Sequence, residues 1–350
     1  MSDLSTHSQQ TKILLVKLSS LGDVLHNLPI VWDLRARLPN AQIDWVVEEG
    51  YVHLLTPLLS KDGFQGIDRI IPFGLRRWKK NLLQLSTWKE FFTFKKTLQE
   101  TSYDVIIETQ GLLKSAIVCS LAKKTPNAVI AGLANATEFS GYEPIARSFY
   151  NQSVQVPVQC HAVDRSRWVM CSALDWPLLE RRSAPQFYPD QYIQSLQFSD
   201  KPIAQQLAAP YVLCFHSTAR EAKRWPNSDW IALGKTLAAQ GYQVVLPWGN
   251  LAEQAVSKEI AAQIPNALVP PAFSIEDAFT IIAGAALTVG VDTGLTHLAA
   301  VLKKPTVEIY CDSPLWKTEG YWSSNIRNVG DIQKPPTVAQ VLQAATELLS

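Results

Sequence analysis

The feature that most constrains this chain is a recurrence of short apolar runs, each leading through a polar loop into a helix-length segment. Lys12-Ile13-Leu14-Leu15-Val16-Lys17 has no polar alternation, the pattern of a strand buried on both faces. The loop Leu18–Asp23 follows, and a helix is predicted from Val24 to Leu38, stopping at Pro39-Asn40. Gln42–Val47, Arg69–Pro72 and Asp104–Glu108 read as further strands, and Ser86–Glu100 as a helix. From about Asn151 to Pro210 prolines break the periodicity around one predicted helix, Val163–Leu174. The alternation then restarts. Strands are predicted at Tyr211–Phe215, Gln243–Leu246, Ala286–Gly290 and Thr306–Ile309, and helices at Asn227–Gln240, Leu251–Gln263 and Ile275–Ala283. This is the pattern of an α/β chain with open parallel sheets, in two halves facing across a cleft.

The expected boundaries are a disordered polar tail over 1–11, a first domain over 12–165 and a connection over 166–210. A second domain follows over 211–335, with a closing helix in 336–350. With 350 residues, 47% apolar and 18% charged, each half can bury its own core. Five cysteines without a C-x-x-C spacing fit a reducing compartment rather than a disulfide framework or a zinc site. The first residues lack the apolar core of a signal peptide, and the longest uncharged run, Ala278–Val291, is too short to span a bilayer. A cytosolic protein is expected, or one that touches a membrane from outside. The net charge of +1 carries no information about nucleic acid, and no recognition-module signature is present.

Ligands of open α/β sheets sit beyond the carboxyl ends of the strands, so the loops there hold the candidates. In Val291-Asp292-Thr293-Gly294-Leu295-Thr296-His297 a strand gives way to a helix, whose first-turn N–H groups and dipole suit a phosphate. An ordinary N-cap would look the same. Asp23, after Ser19-Ser20-Leu21-Gly22, suits either an N-cap or a general base, and His26 reads as a half-buried helix residue. Hydroxyls and cations in His216–Pro226, including Thr218 and Lys223, suit a diphosphate or a solvated loop. Glu253 could accept from a ribose diol or simply occupy a first helical turn. Arg76-Arg77-Trp78-Lys79-Lys80 and the aromatic, lysine-bearing segment after it read as a solvated face or as one resting on anionic lipid. No P-loop, dinucleotide, nucleophile-elbow or zincin motif occurs, and no Asp-x-Asp pair stands ready to hold a divalent metal.

Six segments taken together resemble the heptosyltransferase I group of the lipopolysaccharide heptosyltransferases, glycosyltransferase family 9. They are Lys17–Pro29, Asp44–Glu49, Thr109–Ser115, Lys223–Pro226, Leu246–Gly249 and Val291–His297, in order over nearly the whole chain. Heptosyltransferase II lacks the Ser-Ser before Gly-Asp in the first loop. The resemblance implies a GT-B fold of two Rossmann-like domains, the first binding the acceptor and the second the nucleotide sugar. It implies inverting transfer of L-glycero-D-manno-heptose from the ADP-activated sugar to the inner Kdo of Kdo-lipid A. Carried over by position, Asp23 is the base, and Lys223 stabilises the leaving ADP. Thr218, Lys223, Glu253, Phe273, Asp292, Thr293, Gly294 and His297 line the donor site. Ser19, Ser20, Gly22, Arg76, Arg77, Lys79, Lys80, Gln110 and Lys114 meet the acceptor.

No metal ligand and no required cofactor are implied, with Mg2+ at most a non-essential addition. The partners implied are the ADP-heptose, Kdo-lipid A and the anionic inner-membrane surface, approached from the cytoplasmic side, with no nucleic acid. The sequence departs from the group at Ala219, where a second Thr is usual, and at Phe273, where relatives carry Met. After Tyr310 a Gly-Pro-Thr-Asp-Pro segment reads Cys311-Asp312-Ser313-Pro314. A sugar-nucleotide-binding paralogue without transferase activity is the alternative, as is a sugar-nucleotide epimerase of the same architecture that would turn over without acceptor.

Overall fold

The computed structural model describes residues 10–61, 64–196, 206–207 and 210–350, so most of the expected polar tail lies outside the described residues. The chain forms two compact units. The first takes the chain up to Ser19, then Asn27–Cys160 and Asp164–Arg181; the second takes Ser20–His26, His161–Val163 and Arg182–Ser350. The stretch expected as a connection, 166–210, is thus shared, joining the first unit as far as Arg181 and the second thereafter.

In the first unit six strands form one parallel sheet. They are β1 (Lys12–Val16), β2 (Gln42–Glu48), β3 (Arg69–Phe73), β4 (Tyr103–Glu108), β5 (Lys124–Leu133) and β6 (Gln152–Val154), in the order β3-β2-β1-β4-β5-β6. β1 lies inside the sheet and its apolar residues are fully buried, as the unbroken run requires. Asp44 is fully buried within β2, and a carboxylate there must be paired. Arg69 Nη2 and the Tyr103 hydroxyl each donate to its Oδ2 at 2.7 Å.

The single helix predicted over Val24–Leu38 is two, Leu21–Leu25 and Pro29–Arg37. Pro29 has no N–H to continue the first helix, and its fixed φ suits the first turn of the second. β5, β6 and the helix Leu113–Leu121 were not legible. β5 opens on the polar Lys124-Thr125-Pro126-Asn127, and β6 has three residues.

The second unit carries β7 (Tyr211–Phe215), β8 (Gln243–Val245), β9 (Leu287–Val291), β10 (Thr306–Tyr310) and β11 (Ile326–Gly330). All are parallel, in the order β11-β10-β9-β7-β8. β7, β9 and β10 are buried throughout. The edge strand β11 is mostly half-buried and has no apolar run to announce it. The core between sheet and helices is anchored by Trp225 and Trp230, with Leu233, Val289 and Ile309. The closing helix is Val338–Leu349, held at its start by a reciprocal Thr337–Gln340 capping box.

All five cysteines are free and buried. Among the described residues no helix is long and apolar enough to cross a membrane.

Gly290 in β9 sets how closely the following helix can approach. A Cβ there would lie 2.0 Å from Thr296 Oγ1 and 3.0 Å from Phe215 Cβ. Thr296 Oγ1 itself donates to Val291 O at 2.8 Å. Gly290→Ala should therefore lower stability by about 1–3 kcal/mol in denaturant unfolding, through forced overpacking; an unchanged midpoint would show that the helix can shift at no cost.

Candidate active site

At the carboxyl end of β9 the second unit builds a buried chain of alternating charges. Asp292 is the first residue past the strand and is 7% exposed. Its Oδ2 accepts from Lys223 Nζ at 2.5 Å and from Ser313 Oγ at 2.5 Å. Its Oδ1 meets His297 Nε2 at 2.9 Å and accepts from Thr318 Oγ1 at 3.3 Å. The other ring nitrogen, His297 Nδ1, lies 2.8 Å from Glu308 Oε1 in β10. Glu308 Oε2 in turn accepts from Gly320 N at 2.8 Å and from the Tyr310 hydroxyl at 3.2 Å.

With a carboxylate oxygen on each ring nitrogen, His297 is satisfied only as the doubly protonated imidazolium. Burial alone would lower its pKa, but the charges and hydrogen bonds of Glu308 and Asp292 outweigh burial and raise it to about 9. Burial likewise opposes ionisation of Asp292, yet His297 and Lys223 hold its carboxyl well below the usual range.

The helix Gly294–Val301 begins beside this cluster, with Thr293 at its N-cap in an extended conformation and without a side-chain cap bond. The segment Ser20–His26 belongs to the same unit and packs on this helix. A Cβ on Gly294 would come within 2.6 Å of the Leu21 side chain, and one on Gly22 within 3.1 Å of His297 Cδ2. Close approach thus requires the glycine at 294, while a side chain at 22 would press on the His297 ring.

Asp23 is not the N-cap of the helix Leu21–Leu25. That position is held by Ser20, whose N and Oγ donate to Asp23 Oδ2 at 3.0 and 2.7 Å. This bond fixes the rotamer of the partly exposed carboxylate. His26 is buried rather than half-buried. Its Nδ1 lies 2.8 Å from Gly22 O, and its ring centroid 4.8 Å from that of His297. Burial, then the like charges of His297 and His161, push its pKa well below 6.5.

The remaining donor-side candidates are less closely tied. Lys223 is joined to Asp292, whereas Thr218 stands partly exposed in the loop after β7. Glu253 spends both oxygens on its own turn, accepting from Gly249 N and Asn250 Nδ2 at 2.7 Å each. Phe273 is half-buried just ahead of the helix Ile275–Gly284. The loop Cys311–Pro314, where a departure was expected, is tied to the cluster and to the loop after β7. Ser313 reaches Asp292, and Asp312 pairs with Arg220 at 2.5 Å.

In the first unit, the acceptor-side candidates at the ends of β1, β2 and β4 form a second polar cluster. Gln110 Oε1 accepts from the N–H groups of Leu18 and Ser19 at 3.1 and 3.2 Å. Lys114 Nζ donates to Ser19 Oγ at 2.7 Å and to Glu48 Oε1 at 2.9 Å, while Arg76 Nε lies 2.6 Å from Glu48 Oε2. Arg77 turns away to Glu49, at 2.9 Å, and to Glu90. Lys79 and Lys80 are exposed on the helix Leu75–Lys80. Ser20 and Gly22 belong to the second unit.

Glu48, Glu308, Ser313 and Thr318 were not among the expected site residues. The two glutamates had a signal: a carboxylate inside a buried strand must be paired. The two hydroxyls had none.

The family model for Glycosyltransferase family 9 (heptosyltransferase) matches residues 91–345. The chain belongs to glycosyltransferase family 9. It is 37% identical to lipopolysaccharide heptosyltransferase 1 of Pseudomonas aeruginosa, over 93% of this chain and 85% of that protein. Among solved structures it resembles Escherichia coli heptosyltransferase WaaC with ADP at a TM-score of 0.79 and 31% identity, covering 97% of this chain and all of that one. The same enzyme with ADP-2-deoxy-2-fluoro heptose gives a TM-score of 0.73 over 96% and 98% of the two chains. This glycosyltransferase therefore has the GT-B fold, and it is a heptosyltransferase enzyme.

The raised pKa of His297 fixes a pH dependence. A histidine at about 9 in the folded chain and near 6.5 unfolded adds stability that is complete below pH 6.5. That stability is lost as pH rises through about 9. Denaturant unfolding from pH 6 to 10 should show this decline, and Glu308→Gln should flatten it. A wild-type curve without slope in that window would disprove the imidazolium.

Proposed function

We propose that this enzyme transfers L-glycero-D-manno-heptose from ADP-heptose to the inner Kdo of Kdo-lipid A, in assembly of the lipopolysaccharide core. The observation that carries the donor half of this reading is the Lys223–Asp292 pair beside the N-terminus of the helix Gly294–Val301. A diphosphate seated there would draw Lys223 toward itself and use the helix N–H groups, so ADP leaves as a neutralised group. The ADP-bound and ADP-sugar-analogue-bound relatives support the same donor class. Thr218, Glu253 and Phe273 would hold the remaining parts of the nucleotide, Glu253 by exchanging a bond within its turn for one to the ribose.

The reaction is a single displacement. The Asp23 carboxylate takes the proton of the acceptor hydroxyl as that oxygen bonds to the anomeric carbon. The bond to the diphosphate breaks on the opposite face, and its electron pair leaves with ADP. One displacement inverts the centre and needs no covalent enzyme intermediate. Charge balance at the leaving group falls to Lys223 and the helix terminus, so no metal or cofactor is required in this scheme.

Ser19, Gln110 and Lys114, with Arg76 and the exposed Lys79 and Lys80, would receive the carboxylates and phosphates of the acceptor. The cationic, aromatic segment around them suits an anionic bilayer met from the cytoplasmic side.

The decisive assay follows ADP release and heptose incorporation with and without Kdo-lipid A. Acceptor-dependent release is expected, and it should persist in EDTA; ADP-heptose binding without transfer would favour a binding paralogue. Asp23→Asn should reduce kcat about 10²–10⁴-fold with ADP affinity retained. Lys223→Ala should reduce kcat/KM about 10²–10³-fold. Turnover surviving either substitution would remove that residue from its role.

A further inference from the structure

The first unit carries an apolar cavity of about 550 Å³ that the transfer chemistry does not use, within the usual range for a ligand-sized site. Its wall runs from Phe73 and Trp78 across Trp88 and Phe91 to Ile117 and Leu121. Trp88 and Ile117 stay 49% and 41% exposed, and Leu82 at the mouth is 56% exposed. Soluble proteins rarely leave so continuous an apolar surface open without a ligand or partner.

The cavity's polar lining is as informative. Lys79 borders it, and so does Lys114, the same lysine whose Nζ holds Ser19 and Glu48 in the acceptor-side cluster. One side chain therefore faces both a sugar-sized polar site and an apolar slot. A wholly polar acceptor would leave the slot unused, and a bilayer surface would have no reason to meet Ser19. An amphiphile with an anionic sugar at one end and a hydrocarbon tail at the other satisfies both.

We propose that this cavity takes an acyl chain of the lipid acceptor, holding it while the sugar rests on Ser19, Gln110 and Lys114. The assignment rests on the acceptor reading above and adds to it where the tail goes. Each seated methylene tightens binding about four-fold, so a few carbons suffice to lower KM while leaving the chemical step untouched.

The test compares Kdo-lipid A with its fully deacylated counterpart, both as monomers below their critical micelle concentrations. Ile117→Trp fills the slot and Ile117→Glu makes it polar; the position is partly exposed on the helix Leu113–Leu121, so both should fold, which circular dichroism checks. Each should raise KM for the acylated acceptor about ten-fold or more, with kcat and the KM of the deacylated acceptor unchanged. Equal effects on the two acceptors, or none on either, would overturn the proposal. Loss of binding to phosphatidylglycerol vesicles free of acceptor, with acceptor KM unchanged, would also overturn it and make the surface a bilayer wedge. Leu83→Glu is a control for the bilayer: Leu83 is fully exposed and outside the cavity lining. It should weaken vesicle binding alone. If wild type transfers heptose to neither acceptor, the acceptor reading fails and the assignment of the slot falls with it, an outcome distinct from equal effects of the variants on two working acceptors.

Discussion

The buried charge chain at the end of β9 is the interaction on which the carboxyl end of the second unit's sheet depends. Lys223, Asp292, His297 and Glu308 alternate two basic side chains with two carboxylates, each joined to the next. Removing one member would leave its neighbour as an unpaired buried charge, which is far more costly than the pair is beneficial. The arrangement ties together elements far apart in sequence: the loop after β7, the helix after β9, β10 itself and the loop after β10. It holds Lys223 on a carboxylate one residue before the N-cap of the helix Gly294–Val301.

The first unit solves a related problem with different pieces. Glu48 ends β2 and collects Lys114 and Arg76, much as Asp292 collects Lys223 and His297. In both sheets the carboxylate stands at the carboxyl end of a parallel strand, where the chain leaves the hydrophobic layer and polar groups can first be satisfied. Both carboxylates hold cations there.

Much of this was legible in the sequence because unbroken apolar runs such as Leu14–Val16 and Leu213–Phe215 admit few environments besides a doubly covered parallel sheet. Asp292 could be placed at a strand end because the apolar run before it stops there, and the structure pairs it with Lys223. The misses have physical causes. Pro29 ended a helix that amphipathic spacing alone would have continued. β5 begins with polar residues, and β11 lies at an edge, so neither carries a buried-strand pattern. Ser313 is a small hydroxyl residue in a loop and Thr318 one at the end of the short helix Leu315–Thr318, and only tertiary structure brings them to Asp292. Asp23 was read as an N-cap or a base, but the cap is Ser20 and the carboxylate answers it from the third helical position.

The burial of all five cysteines has a consequence for how this enzyme meets oxidants. Each thiol is pushed above its ordinary pKa by desolvation, Cys214 to about 12 and Cys160 and Cys311 to about 11. A thiol kept protonated and covered is a poor nucleophile toward peroxide, disulfides and alkylating reagents. The folded enzyme is accordingly silent to thiol redox chemistry. A single cysteine introduced on its surface would be the one position that reacts, giving a clean attachment point for a fluorophore or spin label without stripping the native thiols from the core.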